Sequence, residues 1–314
     1  MKPLAAKAST HKPLIARAPV VVLGATGGVG RGVVEAALAA GRPVIAVARD
    51  KAGLQCLRGK HPDADLSIIA GSVSSDAEGE RLARALRKLG RPIGGVIAAV
   101  CGGPARGRLL DHPAAFLRQR LDEDLLPHLA AARHLLPLLA EADRGGTYVL
   151  IGGPGADRPW AGYGHRSIAT AALRMLARVL HEEARTIGVR VQLLAIESPV
   201  STELNRAHAC EQWPSALAVG QRALALVEPG GAQPAEAVVR YADIAPIDIS
   251  LADVTRDVDS TSSGSTSLQE PGQAGDAQCA EPGGLLPSRC LQDARTLLRS
   301  LIPSDNHNNQ ERSS

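Results

Sequence analysis

Short, almost continuously apolar runs recur along the first two thirds of the chain: VVVLG at 20 to 24, PVIAVAR at 43 to 49, LSIIAG at 66 to 71, GGVIAAV at 94 to 100, TYVLIG at 147 to 152 and VRVQLLA at 189 to 195. Runs of this length without polar alternation read as strands buried on both faces. Between them the apolar positions take helical spacing, which predicts helices over roughly 29 to 40, 77 to 89, 113 to 140 and 162 to 186, the last stopping ahead of Gly188. Pro127 and Pro137 are expected to kink or split the third. A further helix is read at about 215 to 227, after an irregular stretch containing Trp213. Such alternation predicts an α/β fold, a doubly wound parallel sheet of six to seven strands covered by helices on both faces.

The pattern changes at both ends. Residues 1 to 18 carry Lys2, Lys7, Lys12 and Arg17 and no acid, and read as a flexible basic arm in preference to the organellar transit peptide they loosely resemble. From 251 to 314 Ser, Gly, Asp, Gln and Pro dominate, a composition that buries too little apolar surface to offset its ordering entropy. A disordered tail is expected there, with one amphipathic piece, LQDARTLLRSLI, as a short helix at 291 to 302. The globular domain is expected over 19 to 250.

Composition narrows the partners. Of 314 residues 35 are basic and 32 acidic, and a net charge of +3 argues against a surface devoted to nucleic acid or anionic membrane. The five cysteines are odd in number and none is in CxxC spacing, so neither a zinc site nor a disulfide framework is implied. No apolar run approaches the roughly 18 residues of a membrane span, and the first twenty residues lack a secretory core. A cytoplasmic protein with a small-molecule partner and no metal is expected.

The segment VVVLGATGGVGRG places Gly24, Thr26, Gly27, Gly28, Val29 and Gly30 between a predicted strand and a predicted helix. Glycine permits the tight turn and lets the backbone approach a pyrophosphate, while the helix start offers free N–H groups and its positive dipole end. On these residues the chain resembles the short-chain dehydrogenase/reductase superfamily: Gly24, Gly28 and Gly30 match its GxxxGxG form, and Gly24, Gly27 and Gly30 its GxxGxxG form. The resemblance covers about 18 to 230 and implies a Rossmann-like sheet, a nicotinamide cofactor and a homodimer or homotetramer paired through its long helices. Ala171, Ala172 and Ala177 are expected to let helices approach closely.

Cofactor choice turns on the end of the second strand, AVARDK. Ala48 stands where NAD-dependent members usually have Asp, and Arg49 where NADP-dependent members have arginine, a planar donor suited to phosphate. NADP(H) is therefore preferred over NAD(H), with Lys51 assisting and Asp50 a potential neutraliser. The resemblance further implies that Ser72 and Val73 flank the adenine, and that Ala98 and Ala99 lie against the cofactor where the family has its NAG segment.

The implied chemistry is incomplete. The family passes a proton through a tyrosine, whose ordinary pKa near 10 makes it a poor base until a lysine four residues later favours the phenolate. Here Tyr163 is followed four residues later by Ser167, the family serine falls at Gly152 and Gly153, and the helix asparagine aligns with Asp124. Arg166, three residues after Tyr163, is a candidate substitute cation. In ESPVSTEL, Val200 and Thr202 fit the family's nicotinamide-closing segment, and Glu197 adds a carboxylate able to act as acid or base. Trp160, Tyr163 and Trp213, half of the six aromatic residues, fall in segments that border the family's substrate cleft, which suits an apolar or aromatic substrate. The expectation is an NADP(H)-dependent oxidoreductase acting on a carbonyl or alcohol. The alternatives are a catalytically deficient NADP(H)-binding sensor or scaffold, and a lyase or isomerase with Glu197 or Asp124 as base.

Overall fold

Seven parallel strands form a single sheet in the order β3-β2-β1-β4-β5-β6-β7. They are β1 Val20–Leu23, β2 Val44–Ala48, β3 Leu66–Ala70, β4 Gly95–Ala98, β5 Thr147–Gly152, β6 Arg190–Ala195 and β7 Val238–Arg240. The computed structural model describes residues 18–142, 146–228 and 235–244. The basic arm up to residue 17, the tail from 251 and the 291 to 302 helix lie outside the described residues.

The helices are α1 Gly28–Ala39, α2 Lys51–Lys60, α3 Asp76–Lys88, α4 Ala114–Asp124, α5 Leu126–Ala140, α6 Gly164–Arg185 and α7 Ala216–Val227. Each strand sends alternate side chains to opposite faces, so the sheet has two cores. Val20 and Val22 join a cluster with α1, α2 and α7, whereas Val21 and Leu23 join one with α3, α5 and α6. The fold is the Rossmann-like α/β arrangement expected, and the order reverses between β1 and β4, opening a crevice at their carboxyl ends. Among the described residues no helix is long and apolar enough to cross a membrane.

The long third helix splits, as expected, dividing at Leu125 (φ −117°, ψ −55°) into α4 and α5, with Pro127 in the first turn of α5, where its missing N–H is harmless. Two expectations need correction. Pro137, by contrast, sits inside α5 without ending it, because the buried Leu135, Leu136, Leu138 and Leu139 around it outweigh one lost backbone bond. Ala177 is fully buried against the sheet, so it is no helix-pairing surface; on α6 that exposure falls to Ile168, Met175 and Val179.

Helix α2 and strand β7 are additions to the sequence-based elements. The first buries only Leu54 and Leu57 and contains two glycines, and the second is three residues long. Helices α1 and α7 pack tightly at Gly32 and Gly220, where a Cβ on either would overlap the other helix's backbone.

Candidate functional site

The β1–α1 turn lies at the crevice. Gly24 takes φ +74°, a left-handed conformation that side chains rarely adopt, and a Cβ there would overlap the Ala99 carbonyl oxygen. Gly27 donates its N–H back to Gly24 O at 2.9 Å and so tightens the turn. Helix α1 begins without a side-chain cap, and backbone bonding resumes at Arg31, whose N–H reaches Gly27 O at 3.0 Å. The amides of Gly28, Val29 and Gly30 are therefore left to an outside acceptor, at the positive end of the helix. Thr202 lies over this end, since a Cβ on Gly28 would come within 2.8 Å of its methyl. Its main chain is fixed by Asn205, whose Oδ1 accepts from Thr202 N–H at 2.7 Å.

From this turn a cavity of about 810 Å³ extends along the strand ends, walled by Gly24, Thr26, Gly27, Arg49, Ser72, Val73 and Ala99 among others. Its volume and its apolar and glycine walls accommodate a dinucleotide. Arg49 is exposed and makes no ion pair with any described residue; Asp50 leaves it uncompensated. Ser72 holds the β3–α3 loop, its Oγ accepting from Ser74 N–H at 3.1 Å. Ala98 is fully buried in the core, so only Ala99 of that pair meets the cavity. Asp122 and Glu123 of α4 also line the wall.

Tyr163 sits immediately ahead of α6, its ring stacked on Trp160 at 4.3 Å between centroids. His165 lies 6.4 Å from it and edge-on to Phe116 at 5.4 Å, and Phe116 stacks on His112 at 4.1 Å. Three of the chain's six aromatic residues thus gather beside two histidines. Trp213 stands in the turn ahead of α7, its N–H on Cys210 O at 3.0 Å. His165 is only 2% exposed, and burial, then the Arg166 charge, hold its pKa below the ordinary histidine value against the opposing pull of Asp124. Ser167 is buried and committed: its Oγ accepts from Trp160 N–H at 2.9 Å and donates to Tyr163 O at 3.3 Å.

The other candidates are spread out. Glu197 is exposed and 4.0 Å from Arg240, a solvated pair at the sheet's edge. Asp124 ends α4, its Oδ1 accepting from Gly102 N–H at 2.6 Å. Arg166 donates to Gly103 O at 3.2 Å and Gly102 O at 3.4 Å. His128, absent from the sequence-based candidates, is 1% exposed with Nε2 on Val100 O at 3.0 Å. A carbonyl only accepts, so Nε2 carries the proton, and burial pushes this histidine's pKa down to about 4. Among the described residues no group of three or more His, Cys, Asp or Glu is placed to hold a metal.

A family model described as short chain dehydrogenase matches residues 18–212. No curated protein matches the chain. Among solved structures it is similar to a short chain dehydrogenase/reductase family oxidoreductase from Burkholderia thailandensis, at 24% identity over 68% of this chain and 86% of that one, TM-score 0.60. An NADPH-bound short chain oxidoreductase from Pseudomonas aeruginosa containing an atypical catalytic centre matches at 21% over 68% and 90%, TM-score 0.60. The 3-ketoacyl-(acyl-carrier-protein) reductase from Brucella melitensis complexed with NADH matches at 18% over 72% and 98%, TM-score 0.62.

Proposed function

The chain belongs to the short-chain dehydrogenase family, and from that premise we propose that it is an NADP(H)-dependent oxidoreductase acting on a carbonyl or alcohol of a small organic molecule. The observation that carries the reading is the uncapped start of α1 at the crevice, opening onto a cavity whose rim bears the uncompensated Arg49. When bound, the nicotinamide supplies or accepts the hydride. The amides of Gly28, Val29 and Gly30 hold the pyrophosphate, Arg49 binds the ribose phosphate that distinguishes NADP from NAD, and Ser72 and Val73 border the adenine. NADPH in the Pseudomonas oxidoreductase is in keeping with this choice, while NADH in the Brucella reductase leaves Arg49 as its main support.

Tyr163 passes the proton to or from the substrate oxygen, with Arg166 the candidate cation that stands in for the family lysine. Trp160, Phe116 and Tyr163 favour an apolar or aromatic substrate. With Cys56 and Cys101 exposed as free thiols, the cytoplasm suits the protein. The test is NADPH oxidation against a broad carbonyl panel. Tyr163→Phe is expected to lower turnover by about 100-fold or more, the range of general acid catalysis; activity unaltered by the change removes Tyr163 from the mechanism.

A second reading is favoured by Ser167, whose hydroxyl is spent on the loop before α6 and supplies no charge to the tyrosine. On that reading the chain is a sensor or scaffold that binds NADP(H) without turning it over. Tight NADPH binding with no turnover across the panel decides for it.

A further inference from the structure

The loop of residues 100–103 walls the cavity and has little to hold it from within, since two of its four residues are glycines. It is gripped from behind. Arg120, Asp124 and His128 stand at four-residue intervals along α4 and α5, 8%, 9% and 1% exposed. They take the loop in reverse order: His128 at Val100 O (3.0 Å), Asp124 at Gly102 N–H (2.6 Å) and Arg120 at Gly103 O (3.4 Å). Arg166 closes the grip from α6, on the carbonyls of Gly102 and Gly103.

Packing does not explain this stripe. Among the described residues Arg120 Nε, Asp124 Oδ2 and His128 Nδ1 are buried with no hydrogen-bond partner, and incompletely satisfied ionisable groups are less stabilising than apolar side chains of similar size. What the four side chains share is the main chain of one cavity wall. We propose that Arg120, Asp124, His128 and Arg166 are positioning residues for the dinucleotide: they fix residues 100–103 as the platform on which it binds. The inference rests on the cofactor reading above. Preorganising the wall removes a loop-ordering cost from binding, so loosening it weakens affinity without touching the ligand.

The test uses the full chain and four variants. Asp124→Asn keeps an oxygen that accepts from Gly102 N–H, whereas Asp124→Leu does not; His128→Gln keeps a donor for Val100 O, whereas His128→Leu does not. Three quantities are measured: hydrogen exchange across residues 100–103, the NADPH dissociation constant, and the rate at which iodoacetamide labels Cys101, an exposed thiol on this wall. The leucine variants are expected to speed exchange at 100–103 and to raise the NADPH dissociation constant about tenfold or more. They are also expected to weaken NADPH protection of Cys101 in proportion. The Asn and Gln variants are expected to stay within about threefold of wild type, a rescue that a role in packing alone would not produce.

Faster exchange with unchanged NADPH affinity overturns the proposal and leaves the cofactor reading intact. A wild-type chain that binds neither NADPH nor NADH overturns both. If the leucine variants fail to fold, the partly exposed Arg166 is replaced by Met, with a several-fold weaker NADPH affinity expected; unchanged affinity there overturns the proposal.

Discussion

Arg49 is the residue on which cofactor preference hangs, because it stands on the cavity rim with no carboxylate among the described residues to neutralise it. Charge-assisted hydrogen bonds to a phosphate are worth about 1.5–3 kcal/mol. Arg49→Ala is therefore expected to weaken NADP(H) roughly 10- to 100-fold while changing NAD(H) by less than threefold, read by titration of each; equal losses would sink the NADP(H) preference. His128 makes a pH prediction. Its pKa falls from about 6.5 unfolded to about 4 folded, so the unfolded chain binds the extra proton first. Its contribution is complete above pH 6.5 and is lost as pH falls towards 4, by up to roughly 3 kcal/mol. His128→Gln is expected to flatten that limb of a stability-against-pH curve, and an unchanged slope would assign the acid sensitivity elsewhere. These two residues differ in how readable they were. Arg49 follows a strand at a fixed offset from the glycine turn, whereas His128 acts on a carbonyl 28 residues away that no local pattern announces. The only trace was three ionisable residues at four-residue intervals in a helix that must face the sheet.

At the scale of elements, the α1–α7 contact shows how one substitution changes sign with its surroundings. A Cβ at Gly220 would overlap the Gly32 carbonyl oxygen, whereas one at Gly59, in α2, meets nothing within 4 Å. Gly220→Ala is expected to destabilise by about 1–3 kcal/mol through overpacking. Gly59→Ala should stabilise by about 0.5–1 kcal/mol through helix propensity and a less flexible unfolded chain. Thermal melts of the two variants check both, and a Gly220→Ala melting point at or above wild type would contradict the close approach. Six strands and the longer helices were legible because long stretches of α/β chain repeat one period. Helix α2 was not, since it exposes most of KAGLQCLRGK and has only Leu54 and Leu57 to signal a buried face. Pro137 misled in the other direction: a residue rule read alone ignores the leucines that hold α5 together around it.

For the molecule as a whole, the outer faces of α5 and α6 stand out. Leu126 and Leu129 on one, and Ile168, Met175 and Val179 on the other, are exposed, and a groove of about 650 Å³ is lined by Leu126 and Leu129 together with Leu180, Ala184 and Ile187. Exposed apolar residues gathered on neighbouring helices suit self-association. Light scattering is expected to report a dimer or tetramer that Met175→Glu shifts towards monomer, and a monomeric wild type would contradict it. The site as a whole was half legible: its binding half starts from one contiguous glycine turn and adds residues at the ends of later strands, Arg49 after β2 and Ser72 and Val73 after β3, whereas its chemical half is dispersed over helices and loops with no such pattern. Ser167 belongs to that second half. Its hydroxyl lies so close to the loop that a Cβ on Gly155 would stand 2.7 Å from it, and the Trp160 amide rests on it. Placing a lysine four residues after Tyr163 would thus meet an occupied berth: Ser167→Lys alone would evict the segment carrying Trp160, and the loop from 153 to 162 would have to be redrawn first.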